Sequence, residues 1–539
     1  MFKPILATTL AFTLGTLSAE TRQFTIEDGE CWWGLETRPW ANLPFDSKTV
    51  YATDLAVGCN ANQAAPVLVS THGRFIWCDE PFACAISNGS FTITAKTTFD
   101  VGKADPGTLR AAFLAVAAKH FPASGKCPPE IFVAAPQYNT WIELTYHQNE
   151  KDLLQYAQSI VDLGFPPGIL MVDDTWQAGY GTWEFDTSRF DAPKAMCDRL
   201  HAMGFKLMLW VAPFVSLDSP AYRDLAQRGA FLRHEATDDG KLGNQVCDGG
   251  PVPVCWWNGI SAVLDLSNPV DRDWFDGVLK GLQARYGIEG FKFDAGDTHF
   301  YHQPRVKPHR VGFSAVDQNG AWSDFGLKYP FNEFRASWKH GGQPLVQRLH
   351  DKGHSWEDLR LLIPQMAAAG FLGHSFVCPD MVGGGHWLSF QPGHGFDSEL
   401  FVRSAQVHAL SPMMQFSANP GRVLKGEALE AVKKAVTLRQ RFAPYFLKLM
   451  RESGRTGEPM LRTMEYQFPH AGFERCTDQF MMGETLLVAP QLTKGAKTRK
   501  VRLPAGTWRT DDGTVTFGPK EIEVATPLDR LPHFTLVKK

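Results

Sequence analysis

The sequence predicts a (β/α)8 barrel flanked by an N-terminal and a C-terminal β-sandwich, and three observations carry that expectation. The hydrophobic period changes twice along the 539 residues, from two-residue alternation to strand–helix alternation and back again. In the middle section, short apolar runs such as "IFVAAP", "GILMVDD", "FKLMLWVAPF" and "GFKFDAGD" are mostly followed by helical patterns, as βα units of a parallel sheet require. Seven or eight such units fit within about 290 residues, and no G-x-G-x-x-G follows the first strand. A closed barrel therefore accounts for the pattern better than a doubly wound sheet.

Residues 1–19 read as a signal peptide: one Lys, an apolar run from Ile5 to Leu17, then small residues. The run is shorter than the roughly 20 residues of a membrane span, and no other stretch is long enough. The sequence thus predicts export to a periplasm or the exterior, with no membrane attachment after cleavage. Residues 20–128 form the first β domain, with Thr- and Phe-rich alternation in "GRFIWCDE" and "GSFTITAKTTF". The barrel occupies 129–450, and 451–539 return to strand signals in "DQFMMGETLLVAP" and "KVRLPAGTWRT".

Composition narrows the function. Net charge is -3 without blocks of like sign, which argues against nucleic acid or an anionic membrane as partner. Ten cysteines suit an oxidising compartment, with Cys78–Cys84 and Cys247–Cys255 the expected bridges. No cysteine pair has zinc spacing, and "HEATD" at His234 is not HExxH, so neither a metal nor a cofactor is expected. Sixteen Trp supply flat rings of the kind that stack on sugar faces.

Functional residues of such a barrel sit at the C-terminal ends of its strands. Those ends read Tyr138 and Trp141, then Asp173 and Asp174, then Trp210, then Asp294. Arg348 with Asp351 is expected on strand five, and Asp380 on strand six. Carboxylates at three separate ends, with an Arg and several aromatic rings, point to cleavage of a glycosidic bond. In "GFKFDAGD", Lys292 and Asp294 share one face, so the Lys favours an ionised, nucleophilic Asp294. Asp380 follows an apolar run, which would raise its pKa and suit a general acid.

The run from about Tyr138 to Phe534 resembles glycoside hydrolase family 31. "GFKFDAGD" is similar to that family's nucleophile strand, "GHSFVCPDMVGG" to the segment read as its acid/base, and "MVDDTWQ" to a substrate-binding strand. "CWWNGISAVLDLSNPVDRDWF" and "QRLHDKGHSW" resemble the branch containing the myogenesis-regulating glycosidase, which is associated with α-galactosidase activity. The resemblance implies Asp294 as nucleophile and Asp380 as acid/base. It implies Asp173 or Asp174 on ring hydroxyls, Lys292 and Arg348 near the reacting carbon, and Trp256 and Trp257 as walls. Asp351, Trp210 and Trp141 complete the expected substrate site.

Asp297 stands where the branch usually has Glu, shortening a subsite side chain by one methylene. "GGGHW" and "SANPGR" also depart from the family pattern, which bears on the sugar rather than on the reaction. The reading is an exported, retaining exo-α-glycosidase acting on a terminal sugar of an oligosaccharide or glycoside. An α-galactoside is favoured, with α-glucoside or α-xyloside as the alternative. A sugar-binding protein on a disabled frame would lack a catalytic carboxylate, and a transglycosylase would share every residue.

Overall fold

The computed structural model describes residues 19–38, 43–57, 62–235, 241–242, 245–246, 249–303 and 305–538. The expected leader, apart from Ala19, and Cys247 lie outside the described residues.

Eight parallel strands form the barrel: β1 (Gln137–Asn139), β2 (Ile169–Val172), β3 (Lys206–Val211), β4 (Gly290–Phe293), β5 (Phe331–Phe334), β6 (Gln347–Arg348), β7 (Val377–Cys378) and β8 (Gln415–Phe416). Neighbouring strands pair continuously from β7 back to β1 and on to β8, and a parallel bridge between Met381 and Gln415 closes the ring. Helices follow most strands, among them Glu150–Asp162, Pro193–Ala202, Pro269–Tyr286 and Ala315–Gly326. Each of these begins with Pro at its first turn or a capping side chain, as in the Ser314–Asp317 capping box.

The strand count corrects one expectation. Arg348 lies on β6 and Asp380 follows β7, because "FNEF" is the fifth strand. Its two central residues are polar, so it carries no apolar run: Glu333 shares the barrel face with Lys292, and Asn332 the opposite face with Phe291. Asn332 accepts from the Val346 backbone N–H, and Glu333 accepts from Gln415 Nε2 at 2.7 Å. The pairing of Lys292 with Glu333 then sets Arg335, one step beyond β5, beside Asp294.

The N-terminal residues build two antiparallel sheets. One orders Glu20–Thr25, Ser90–Ala95, Ala83–Ser87 and Tyr51–Asp54; the other orders Trp32–Glu36, Gln63–Ser70, Arg74–Cys78 and Phe99–Lys103. The second sheet reaches the barrel. Ser337–Trp338 pairs with its Gln63–Ala64 edge, and the Gln63 amide donates to the carbonyls of Arg335 at 2.8 Å and Arg348 at 2.9 Å. The domain thus braces the two strand ends that supply the site's arginines.

The last strands make one six-stranded antiparallel sheet. Arg403, buried in the helix Ser398–Ala409, ties it to the barrel through the Thr526 and Pro527 carbonyls. Among the described residues, no helix is long and apolar enough to cross a membrane.

The expected Cys78–Cys84 bridge is absent: both are free, buried thiols. Cys78 ends a strand of one N-terminal sheet and Cys84 lies in the other. The Cys78 thiol is instead 3.2 Å from the Thr97 hydroxyl. Cys255 is also free.

Candidate active site

Asp294 follows directly on β4. Its Oδ2 accepts from Trp210 Nε1 at 2.7 Å and its Oδ1 from the Ala295 backbone N–H at 2.8 Å, with Arg335 Nε at 3.8 Å. Burial raises its proton affinity, but Lys292, Arg335 and Arg348 outweigh that and hold it below the usual carboxylate range. Phe291 and Phe293 face the other way and pack on Tyr329, Trp322 and Phe325. The alternation expected of this strand is what separates charge from core.

Lys292 has a different partner from the one expected. Its Nζ meets Asp173 Oδ2 at 2.6 Å, and that oxygen also accepts from Asn139 Nδ2 at 2.7 Å. Lys292 thus acts on Asp294 through space while fixing Asp173. Asp174 accepts from the Tyr180 hydroxyl at 2.7 Å and from Asn258 Nδ2 at 2.5 Å. Burial, with the charges of Asp173 and Asp294 behind it, still pushes its pKa up to about 6.

Across the barrel, Arg348 stands between two carboxylates, with Nη1 2.6 Å from Asp351 and 2.9 Å from Asp380. The two differ sharply in access: the Asp351 side chain is 50% exposed and that of Asp380 is 0% exposed. Asp380 spends its second oxygen on the Lys352 backbone N–H at 2.8 Å. The glycine loop after it also closes in, since a Cβ on Gly385 would sit 3.2 Å from Asp380 Oδ2. Asp380 therefore does not line the cavity, and the carboxylate that does is Asp351. Asp380, expected as the proton donor, is thus buried behind the lining of the cavity.

The cavity, with the space open to solvent at its mouth, holds about 650 Å³. Asp173, Asp174, Lys292, Asp294, Arg335, Arg348 and Asp351 line it, walled by Trp141, Tyr146, Trp210, Trp257 and Met381. Trp257 is exposed and lies over the Arg335 guanidinium at 5.2 Å. Trp256, expected as a second wall, is set back: it stacks on Trp210 with its indole N–H on Ser261. Trp141 bonds the Gly385 carbonyl at 3.0 Å, linking the β1 end to the glycine loop.

Asp297, expected as a subsite residue, is buried outside the lining and holds Arg335 Nε at 2.8 Å. Arg335 was missed by the sequence reading, as were Glu333, Tyr146, Tyr180 and Asn258. "FNEFR" carries part of the signal of "GFKFD": Glu333 and Arg335 flank Phe334 as Lys292 and Asp294 flank Phe293, but Asn332 breaks the alternation. Tyr180 and Asn258 come from connecting segments and carry no local signal.

The profile for the "Glycosyl hydrolases family 31 TIM-barrel domain" matches residues 128–449. The chain belongs to glycosyl hydrolase family 31. The family's C-terminal domain matches residues 457–536. The myogenesis-regulating glycosidase of Mus musculus is 33% identical over 433 residues, covering 77% of this chain and 58% of that protein. Alpha-glucosidase 2 of Bacillus thermoamyloliquefaciens is 26% identical over 502 residues, covering 84% of this chain and 61% of that one. The chain thus spans about three-fifths of the length of these two relatives.

Two solved family 31 structures share the fold. A Flavobacterium johnsoniae dextranase complexed with glucose superposes with a TM-score of 0.81 at 20% identity, over 96% of this chain and 66% of its own. An alpha-xylosidase from a soil metagenome complexed with xylose gives 0.81 at 21% identity, over 98% of this chain and 81% of its own.

In this family 31 chain, Trp210 is the only indole that donates directly to the Asp294 carboxylate among the described residues. Trp210→Phe keeps a ring and removes one bond to a charged acceptor, worth about 1.5–3 kcal/mol. Steady-state kinetics should show kcat/KM falling by roughly 10- to 150-fold, with the far-UV circular dichroism unchanged.

Proposed function

We propose that the chain is a retaining α-glycosidase that removes a terminal non-reducing sugar by double displacement. The observation that carries this is one cavity holding an ionised, hydrogen-bonded Asp294 and an accessible Asp351, with Arg335 reaching toward both at 3.8 and 3.6 Å. Asp294 attacks the anomeric carbon as the glycosidic C–O bond breaks, and the leaving oxygen takes a proton from Asp351. Water then attacks the glycosyl ester, gives its proton to Asp351, and Asp294 is released. Lys292 with Asp173, and Asp174 with Tyr180 and Asn258, present a fixed set of donors and acceptors to the ring hydroxyls.

Asp351 and Asp380 titrate as a pair because they share Arg348. Burial pushes Asp380 up to about 6, while Arg348, Arg335 and Lys292 together overcome burial and hold Asp351 low. A sugar covering Asp351 replaces its water and raises its proton affinity, which prepares it to act as acid. Once the leaving group has gone, the same cations favour its ionised form, as a base requires.

The favoured substrate is a terminal α-galactoside. The support is the sequence resemblance to the branch of the myogenesis-regulating glycosidase and the 33% identity to its mouse member. Relatives named as α-glucosidases, and the similar fold of an alpha-xylosidase, keep α-glucosides and α-xylosides as the second reading. Export follows from the leader-like first residues and is part of the proposal. Hydrolysis of the p-nitrophenyl α-galactoside, α-glucoside and α-xyloside, compared side by side, tests the sugar. Turnover of the galactoside at least tenfold faster is the expected result, and preference for either other glycoside would discard the galactosidase reading.

A further inference from the structure

We propose that Glu465, His470 and Glu474 form a site for a divalent transition metal, zinc in the first instance, outside the barrel and independent of its catalysis. Glu465 lies in the helix Met464–Gln467, and His470 and Glu474 in the loop between it and the strand Phe480–Met482, where the C-terminal region meets the N-terminal domain. One donor atom from each lies within 4.8 Å of the other two.

Two features point to a ligand rather than to chance acidity. Glu465 is only 1% exposed; its Oε1 accepts the His470 backbone N–H at 2.9 Å, and its Oε2 has no partner. No Lys or Arg among the described residues forms an ion pair with it; the one basic neighbour is His470. His470 in turn places Nε2 3.0 Å from the Gly107 carbonyl, which only accepts. Nε2 therefore carries the hydrogen, and Nδ1 presents a lone pair, 3.9 Å from Glu465 Oε1. A carbonyl fixing the far nitrogen is the arrangement that orients metal-bound histidines.

The donor set selects the ion. One imidazole and two carboxylates, with water in a fourth position, suit zinc, whereas calcium and magnesium demand more oxygens. Close by, Glu27, Glu30 and His72 also converge, and the His72 and His470 rings are 6.4 Å apart. That trio is already satisfied, with Arg74 paired to Glu30 and His72 to Glu27 at 2.8 Å. It supplies the internal control. The Gly107 contact places the proposed ion where it would tie the loop to the N-terminal domain.

The alternative is a buried Glu465 that is simply protonated, since burial raises its pKa to about 7. Glu465→Gln imitates the neutral acid and separates the two. The untagged full chain, stripped with chelator and dialysed against zinc chloride, should retain about one zinc per chain and unfold several degrees higher. Cobalt(II) in its place should give visible d–d absorption. Retention and the shift should both be lost in Glu465→Gln and His470→Ala and kept in His72→Ala. His470 is exposed, so its replacement leaves the core intact. No retained zinc in the unaltered chain, an equal shift in His470→Ala, or loss confined to His72→Ala would each overturn the site.

Discussion

Replacing Asp294 by Ala is expected to lower kcat/KM by about 10,000-fold or more, equivalent to roughly 5.5 kcal/mol of transition-state stabilisation. The chain should still fold, because Trp210, Ala295 and Arg335 lose an acceptor at the edge of a cavity rather than in the core. Two further measurements fix the role. Proton NMR should find the α anomer as the first-formed sugar, and a β anomer would mean inversion. A 5-fluoroglycosyl fluoride should leave its ester on the peptide containing Asp294. An ester on any other carboxylate would reassign the nucleophile.

The second large effect separates Asp351 from Asp380. Asp351→Ala should cost about 100- to 10,000-fold on a glycoside with a poor leaving group and little on a 2,4-dinitrophenyl glycoside, whose departure needs no proton. Azide should rescue it and yield the α-glycosyl azide. Asp380→Asn should cost no more than about tenfold, to the same degree for both leaving groups, since Asp380 acts through Arg348 and the Lys352 backbone rather than on the substrate.

The pH profile of kcat/KM supplies the sign. Activity falls at low pH as Asp294 gains a proton, and this limb lies below the ordinary carboxylate range because Lys292, Arg335 and Arg348 outweigh burial. It falls at higher pH as the Asp351–Asp380 pair loses its proton, burial pushing Asp380 up to about 6 while Arg348, Arg335 and Lys292 hold Asp351 low. Asp380→Asn leaves Arg348 entirely to Asp351, lowers the proton affinity of Asp351 and moves that upper limb down. Azide-rescued loss in Asp380→Asn, with Asp351→Ala unaffected, would restore Asp380 as the donor.

Much of this was legible before any coordinates. The alternation in "GFKFDAGD" set Lys292 and Asp294 on one face and the two Phe on the other, because a strand's two-residue period is a local property. The barrel followed from the same logic, since βα units repeat along the chain. Trp257, Asp173, Asp174 and Arg348 were also placed at the mouth, each being at or near a strand end or in a connecting segment named by resemblance.

Other features depended on what the chain brings together through space. Asp351 and Asp380 are both acidic residues beyond strand ends, and nothing local separates them. Only the shared guanidinium of Arg348, the Lys352 amide and the glycine loop bury one and leave the other in the cavity. Arg335 escaped notice because β5 is half polar, with Glu333 satisfied by Gln415 and Asn332 by the backbone of Val346. Asp297 and Trp256 were read as sugar contacts, yet one holds Arg335 and the other backs Trp210. Sequence by itself determined which face of each strand carries charge, because that depends on neighbours two residues away. Tertiary structure alone decided which of those charges meets the substrate, because access and pKa are set by groups tens to hundreds of residues distant.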